Sequence, residues 1–302
     1  MTTEATELRT IDAIRGALDE ALAADPAVCL LGEDITLGGP FGATRGLVES
    51  YGEDRVRNTP ISEATIMGLA IGAALAGRRP VLEIMFVDFV TLAMDQLINH
   101  AAKLRYMSGG QLSVPLTSRI QGGAAGGMGA HHSQSLEAWF AHVPGLTVVA
   151  PSDAADAWGL LASAIRSADP VIVLEHRGLY WTRGPVADAD HLAPIGRAVV
   201  RRRGRDATVV AWSRMVGTAL VAADALAAEG VELEVVDART LLPLDIDTMV
   251  ESVDRTGRLV VASEAVVTGG VGAEIATSVA SASVAALKAP IERVGAPFVP
   301  PP

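Results

Sequence analysis

Apolar and polar positions follow two rhythms along the chain, and the two take turns. In "LRTIDAIRGALDEALAAD", Ile11, Ile14, Leu18 and Leu22 fall on one face of a helix. The run "AVCLLG" then reads as a short buried strand. "SEATIMGLAIGAALAG" predicts a helix with Ser62 as N-cap and Gly77 as its stop. "RPVLEIMF" is the next strand, and "DFVTLAMDQLINHAAKLRY" predicts one strongly amphipathic helix. "VPLTSRI" and "LTVVAP" are strands on either side of a glycine-histidine loop. "SDAADAWGLLASAIRS" is a capped helix leading into the strand "PVIVLEH".

After "RGPVADADHLAPIGRA" the rhythm restarts: strand "ATVVAWS", helix "GTALVAADALAAEG", strand "VELEVVDA", helix "DIDTMVESVDRTG", strand "RLVVASEA". A helix "GAEIATSVASASVAAL" and a strand "PIERVGA" close the series, with "PFVPPP" as an extended tail that has no core role. Alternating strands and helices predict an α/β fold with parallel sheets. The expected organisation is a domain over 1–185, a linker at 186–199 and a smaller domain over 200–302.

Half of the residues are hydrophobic and 20% are charged, a globular composition. The formal net charge of -11 argues against a nucleic-acid partner. The basic cluster "RRRGR" at 201–205, flanked by "DADH" and Asp206, reads as a solvated turn before a strand. No apolar run approaches the ~18 residues of a membrane span, so no membrane association is expected. The N-terminal "MTTEATELRT" has neither a signal h-region nor transit character. Cys29, the one cysteine, sits in an apolar run and packs as a small hydrophobe, which fits a reducing, cytoplasmic setting.

Candidate chemistry centres on "GGAAGGMGAHHSQSLEAWF" at 122–140. Glycine-rich loops can cradle phosphate, but no GxxxxGK[ST] occurs, and "TGGVGAEIA" lacks the third glycine of a dinucleotide fingerprint. Adjacent histidines on an extended segment point to opposite faces, no HExxH is present, and no metal site is expected. Ser133 lacks the glycines of a nucleophile elbow. Two readings stay open for the histidines, a proton donor in a cleft or a structural hydrogen-bonding group.

"NTPISEAT" is the second constellation. Glu63 stands in the first turn of an apolar helix, where it favours the dipole. Ile61, Ala64, Ile66 and Met67 predict a buried entrance in which a carboxylate needs a partner. Glu33 and Asp34 follow a buried strand and Asp95 lies on the helix after "FVDF", so several acids gather at strand-to-helix junctions.

Together, "LGEDI", "FGATRGL", "YGEDRVRNTPISEA", "GLAIGAALAGRRPVLEIMFVDF", "DQLINHAAKLRYMSGG", "HHSQSLEAWFAHVPGLTVVAPSDAADAWGLL" and "DARTLLPLD" resemble the β subunit of the thiamine-diphosphate-dependent 2-oxoacid dehydrogenase decarboxylase component. That family takes in the pyruvate, branched-chain 2-oxoacid and acetoin dehydrogenases. The resemblance implies a pyrimidine-binding domain followed by a smaller transketolase C-terminal-type domain. It places Glu63 at N1′ of the thiamine diphosphate pyrimidine, Phe89 on the pyrimidine ring, Ile61 in the same pocket, and His132 at acyl transfer to lipoamide. Glu33 and Asp95 match acidic positions with a proposed proton-relay role, Glu33 also lying by the cofactor. His131 receives no role.

The family's GDG motif, with asparagine some 25–30 residues on, does not occur here. Diphosphate and Mg2+ are therefore expected on a partner α subunit in an α2β2 heterotetramer, with a structural monovalent cation admitted alongside. Further implied partners are the 2-oxo acid, a lipoyl domain and the acyltransferase core. Family members usually continue past "GAPFVPPP" in a helical stretch, so only part of the usual core-docking surface is expected. Acetoin dehydrogenase, a split transketolase-like enzyme and a non-catalytic scaffold subunit are the competing functions.

Overall fold

A computed structural model describes residues 5–124, 126–187 and 192–302. The first half runs β1 (Thr6–Arg9), α1 (Thr10–Ala24), β2 (Val28–Gly32), α2 (Leu47–Tyr51), β3 (Val56–Asn58), α3 (Glu63–Leu75), β4 (Arg79–Ile84), α4 (Leu104–Met107), β5 (Thr117–Gly122), α5 (Glu137–Ala141), β6 (Thr147–Val149), α6 (Ala154–Arg166), β7 (Val171–His176) and β8 (Arg183–Val186). The second half runs β9 (Val199–Arg202), β10 (Ala207–Ala211), α7 (Arg214–Ala227), β11 (Leu233–Asp237), β12 (Thr240–Leu242), α8 (Ile246–Thr256), β13 (Leu259–Val266), α9 (Val271–Ser283) and β14 (Glu292–Ala296).

Seven strands form one sheet in the order β12-β6-β7-β5-β4-β2-β3, parallel except where β12 meets β6. A second sheet, β14-β13-β10-β11-β9, is parallel except for β9. Both faces of a parallel sheet are covered, so its strands run apolar without alternation; β2 is buried at every position. On one face α1 and α6 pack closely. A Cβ on Gly16 would stand 2.1 Å from the Trp158 ring, which is why glycine occupies that crossing. On the other face, Leu82, Ile120 and Ile172 of the first sheet share a core with Val210, Trp212, Val236 and Ile275 of the second half.

Three expectations change. Residues 87–107 do not form one α-helix; they wind as a 3-10 segment (Val87–Ala93), a π segment (Gln96–Ala101) and α4. The buried positions record the change of pitch, with Val87, Val90 and Ala93 spaced by three, then Leu97 and Ala101 following at steps of four. "RRRGR" is a solvated turn only in part: Arg203 and Arg205 are exposed ahead of β10, but Arg201 and Arg202 belong to β9 and Arg201 is ion-paired with Asp153, Asp156 and Asp237. The tail beyond β14 stays out of the core, as expected, and lines a cavity of about 520 Å³ with Ala124, Ser133 and Glu264. Finally, β12 is a strand the hydropathy pattern did not reveal. The residues "DADH" at 188–191 and the first four of the chain lie outside the described residues.

Candidate functional site

Parallel strands deliver their C-terminal ends to one edge, the usual place for a ligand in such sheets. Here β4 leads to Phe86, β5 to the glycine loop, and β7 to His176 and Arg177. Gly123, at φ +86, opens the loop; a Cβ there would lie 2.2 Å from His176 Nε2, so no other residue fits.

His132 closes the loop against two phenylalanines. Its ring meets Phe86 edge-on (centroids 4.7 Å apart, 80°) and Phe89 likewise (5.4 Å, 82°). Phe86 and Phe89 complete the trio at 5.6 Å. Gln134 Nε2 donates to Asp88 Oδ1 at 2.7 Å, tying the loop to the segment that carries both rings. Arg177 donates to the carbonyls of Gly123 (2.6 Å) and His132 and lies 5.0 Å over the Phe86 ring. Burial pulls its pKa below the ordinary arginine value.

The second half of the chain reaches the same place. Glu264 of β13 accepts from the Ala124 N–H and pairs with His176 at 2.9 Å. Burial works to raise the Glu264 pKa, but the His176 hydrogen bond and charge outweigh it, and the net shift is downward. Trp212 Nε1 donates to Glu137 at 3.1 Å, and burial raises the pKa of this enclosed carboxyl. A cavity of about 40 Å³ separates these groups, bounded by Gly122, Gln134, Glu137, His176, Trp212 and Glu264.

Glu63 opens α3, 6% exposed, and α3 packs on the 3-10 segment bearing Phe89. Glu33 follows β2, and its pKa is raised first by burial, then by the charges of Glu63 and Asp34. The structure thus gathers His132 with Phe89, and Glu33 with Glu63. Asp95 stands apart, exposed and paired with Asn99 (2.7 Å) and His100. His131 is exposed.

The buried entrance is corrected in part: Ile66 and Met67 are buried, but Ile61 is 83% exposed. It lies between Pro60 and Ser62, before the helix turns its buried face inward, and none of the described residues covers it. Ser62 occupies the N-cap position, but its Oγ meets Thr65 Oγ1 at 2.8 Å instead of capping the backbone. Residues that sequence reasoning missed are Phe86, Asp88, Gln134, His176, Arg177 and Glu264. The charged pair His176-Arg177 directly after an apolar strand was the available signal. Among the described residues, no group of three or more His, Cys, Asp or Glu side chains is arranged to hold a metal ion.

The chain matches the family described as "Transketolase, pyrimidine binding domain" over residues 6–182 and "Transketolase, C-terminal domain" over 196–302. It is 47% identical to "Pyruvate dehydrogenase E1 component subunit beta-2, mitochondrial" of Oryza sativa subsp. japonica, over 99% of this chain and 81% of that protein. It is 46% identical to "Acetoin:2,6-dichlorophenolindophenol oxidoreductase subunit beta" of Cupriavidus necator, over 96% of this chain and 89% of that one. A solved structure described as "Split gene transketolase, inactive beta4 tetramer" superposes with TM-score 0.75 at 26% identity, covering 97% of this chain and 90% of its own.

Proposed function

The chain belongs to the family of 2-oxoacid dehydrogenase E1 β subunits, and from that membership we propose that it supplies the pyrimidine-binding half of an enzyme that decarboxylates pyruvate or a branched-chain 2-oxo acid and acylates lipoamide. The carrying observation is Glu63, a buried carboxyl whose side chain makes no hydrogen bond or ion pair with a described residue. Its oxygens are thus free to accept a hydrogen bond from a ligand that enters beside α3. The aminopyrimidine N1′ of thiamine diphosphate is the complementary group, and the half-buried Phe89 ring offers it a flat apolar neighbour.

Bound thiamine diphosphate supplies the electron sink that lets carbon dioxide leave. The protein's own part is proton control and positioning. Glu63 holds a proton at N1′ and takes it back, shielded from water by Ile66 and Met67. Phe89 and Ile61 flank the ring, and Glu33 lies beside Glu63 at the cofactor. His132, held edge-on by Phe86 and Phe89, hydrogen-bonds the acyl group during its transfer to the lipoyl thiol. Glu33, whose pKa burial raises, and the outward Asp95 act in a proton relay between paired sites.

We divide the chain at 186–199, between the end of β8 and the start of β9. Diphosphate and Mg2+ are assigned to an α subunit, since this chain lacks the GDG motif. An α2β2 assembly is supported by α3, which is apolar throughout yet leaves Leu69 and Leu75, with the neighbouring Ile61, open to solvent. Lipoyl-domain and acyltransferase-core contacts belong to the same proposal. So does a cytoplasmic location, supported by the single buried Cys29 thiol; several relatives carry "mitochondrial" in their names.

The deciding experiment is Glu63→Gln in the reconstituted α/β complex. Turnover falls below about one thousandth of wild type, the complex still assembles, and calorimetric affinity for thiamine diphosphate drops. Wild-type turnover would remove Glu63 from its role. The Cupriavidus relative, nearly as similar as the plant subunit, favours acetoin as a second reading. A panel of pyruvate, branched-chain oxo acids and acetoin with dye reduction separates the two.

A further inference from the structure

Arg177 is 5% exposed, and among the described residues no carboxylate lies within ion-pair range of it. A guanidinium buried without a counter-charge is expensive, so what it touches matters. It touches the glycine-histidine loop at three places: the Gly123 carbonyl at its start, Met128 Sδ near its tip, and the His132 carbonyl at its end. Its fourth contact is the face of Phe86, whose edge meets the His132 ring.

The loop has reason to need such a tie. Gly123, Gly126, Gly127 and Gly129 all sit at positive φ, and glycine backbone loses more freedom on ordering than any other. Arg177 Nη2 donates to both carbonyls and Nη1 to Met128 Sδ, so one planar guanidinium joins the start, the end and the tip of the loop. Other ties act singly: Gly123 N–H on the Gln134 carbonyl, Ala124 N–H on Glu264, Met128 N–H on Ser133 Oγ, and Gln134 on Asp88; Arg177 reaches start, tip and end with one side chain.

We propose that Arg177 is a positioning residue for His132: it clamps the two ends of the glycine loop and sets the imidazole at the mouth of the site by way of Phe86. The proposal rests on the reading of His132 as the acyl-transfer histidine. Arg177 itself contacts neither cofactor nor substrate.

The test uses the assembled α/β complex carrying Arg177→Gln, Arg177→Lys or His132→Ala. Amide hydrogen exchange over 123–134 is followed together with two activities, dye-linked decarboxylation and acylation of a lipoyl domain. Arg177→Gln speeds exchange in the loop about tenfold and lowers lipoyl acylation about a hundredfold, well beyond its effect on the dye assay. Arg177→Lys, which keeps the charge but loses the second nitrogen on Met128 and the flat guanidinium over Phe86, falls between Arg177→Gln and wild type in both readouts. His132→Ala loses acylation with loop exchange unchanged. Unchanged exchange in Arg177→Gln and Arg177→Lys overturns the clamp. So does normal acylation in Arg177→Gln where His132→Ala has lost it. Full acylation in His132→Ala would instead refute the histidine's role, and the exchange data would still judge the clamp.

Discussion

Two arginines leave the water at neighbouring strand ends and meet opposite surroundings. Arg119 on β5 is 1% exposed, with Glu83 Oε2 at 2.5 Å and Glu175 bridging it at 2.6 and 2.8 Å. Tyr180 donates to the same Glu175 at 2.6 Å. Burial opposes the Arg119 charge, yet the two glutamates outweigh it and its pKa rises. For Arg177 burial wins and the pKa falls. The comparison separates a charge kept for the sheet from a charge kept for a loop. Arg119 links β4, β5 and β7, whereas Arg177 holds a segment that without it would have many conformations.

The sharpest way to break this contrast is to remove Arg119. Arg119→Met strands two buried carboxylates and should destabilise the fold by about 3–5 kcal/mol, read as the shift in urea midpoint. Adding Glu83→Gln and Glu175→Gln should restore much of that loss, because no buried charge is then left alone. Arg177→Met should shift the midpoint far less. Equal losses at the two sites would end the distinction.

A third cluster tests whether the balance of charges, more than burial, sets the outcome. Asp237 at the end of β11 is met by Arg201 (2.9 Å) and Ser152 (2.5 Å), while Asp156 takes Arg201 and Arg239. Burial, then the Asp156 charge, pushes the Asp237 pKa up to about 7. Because the folded value exceeds the unfolded one, folding favours the protonated carboxyl. Its stabilisation is complete below the unfolded pKa of about 4 and is lost as pH rises toward about 7. Stability measured by urea unfolding should fall by on the order of 4 kcal/mol across that window. Asp237→Asn should flatten the profile; an unchanged slope would show that the arginines outweigh burial here.

Strands such as β2, β7 and β10 were legible because they are apolar at nearly every position, whereas β5 at the sheet centre buries Thr117, Ser118, Arg119 and Gln121. Helix α1 was legible from Ile11, Ile14, Leu18 and Leu22, all buried as expected. Residues 87–107 were misread because steps of three and steps of four average to the period of an α-helix. Three-residue β12 carries too little pattern to be seen, and its pairing with β6 depends on contact between the halves. At the site, Phe89 and His132 were named from motif resemblance, and the ring contacts between them add geometry that spacing could not. Arg177, His176 and Glu264 escaped notice because their partners lie 45 to 140 residues away in sequence. Ile61 was expected inside because its neighbours are apolar, but a loop residue before a helix is buried only if another surface reaches it.

The smallest expected effect is also the control for the rest. Arg105 Nη1 approaches Asp169 Oδ1 at 2.9 Å, as close as any contact of Arg201 with Asp237 and nearly as close as Arg119 with Glu175. Its side chains, however, are 52% and 45% exposed. Water solvates both ions before and after the pair forms, and salt screens what remains. Arg105→Gln should therefore move the urea midpoint by about 0.5 kcal/mol or less, with still less effect in molar salt. If this exposed pair proved worth as much as the Arg119 cluster, distance alone would be setting the energies. The contrast between the two buried arginines would then lose its basis, since that contrast holds only if the medium around a charge decides what the contact is worth.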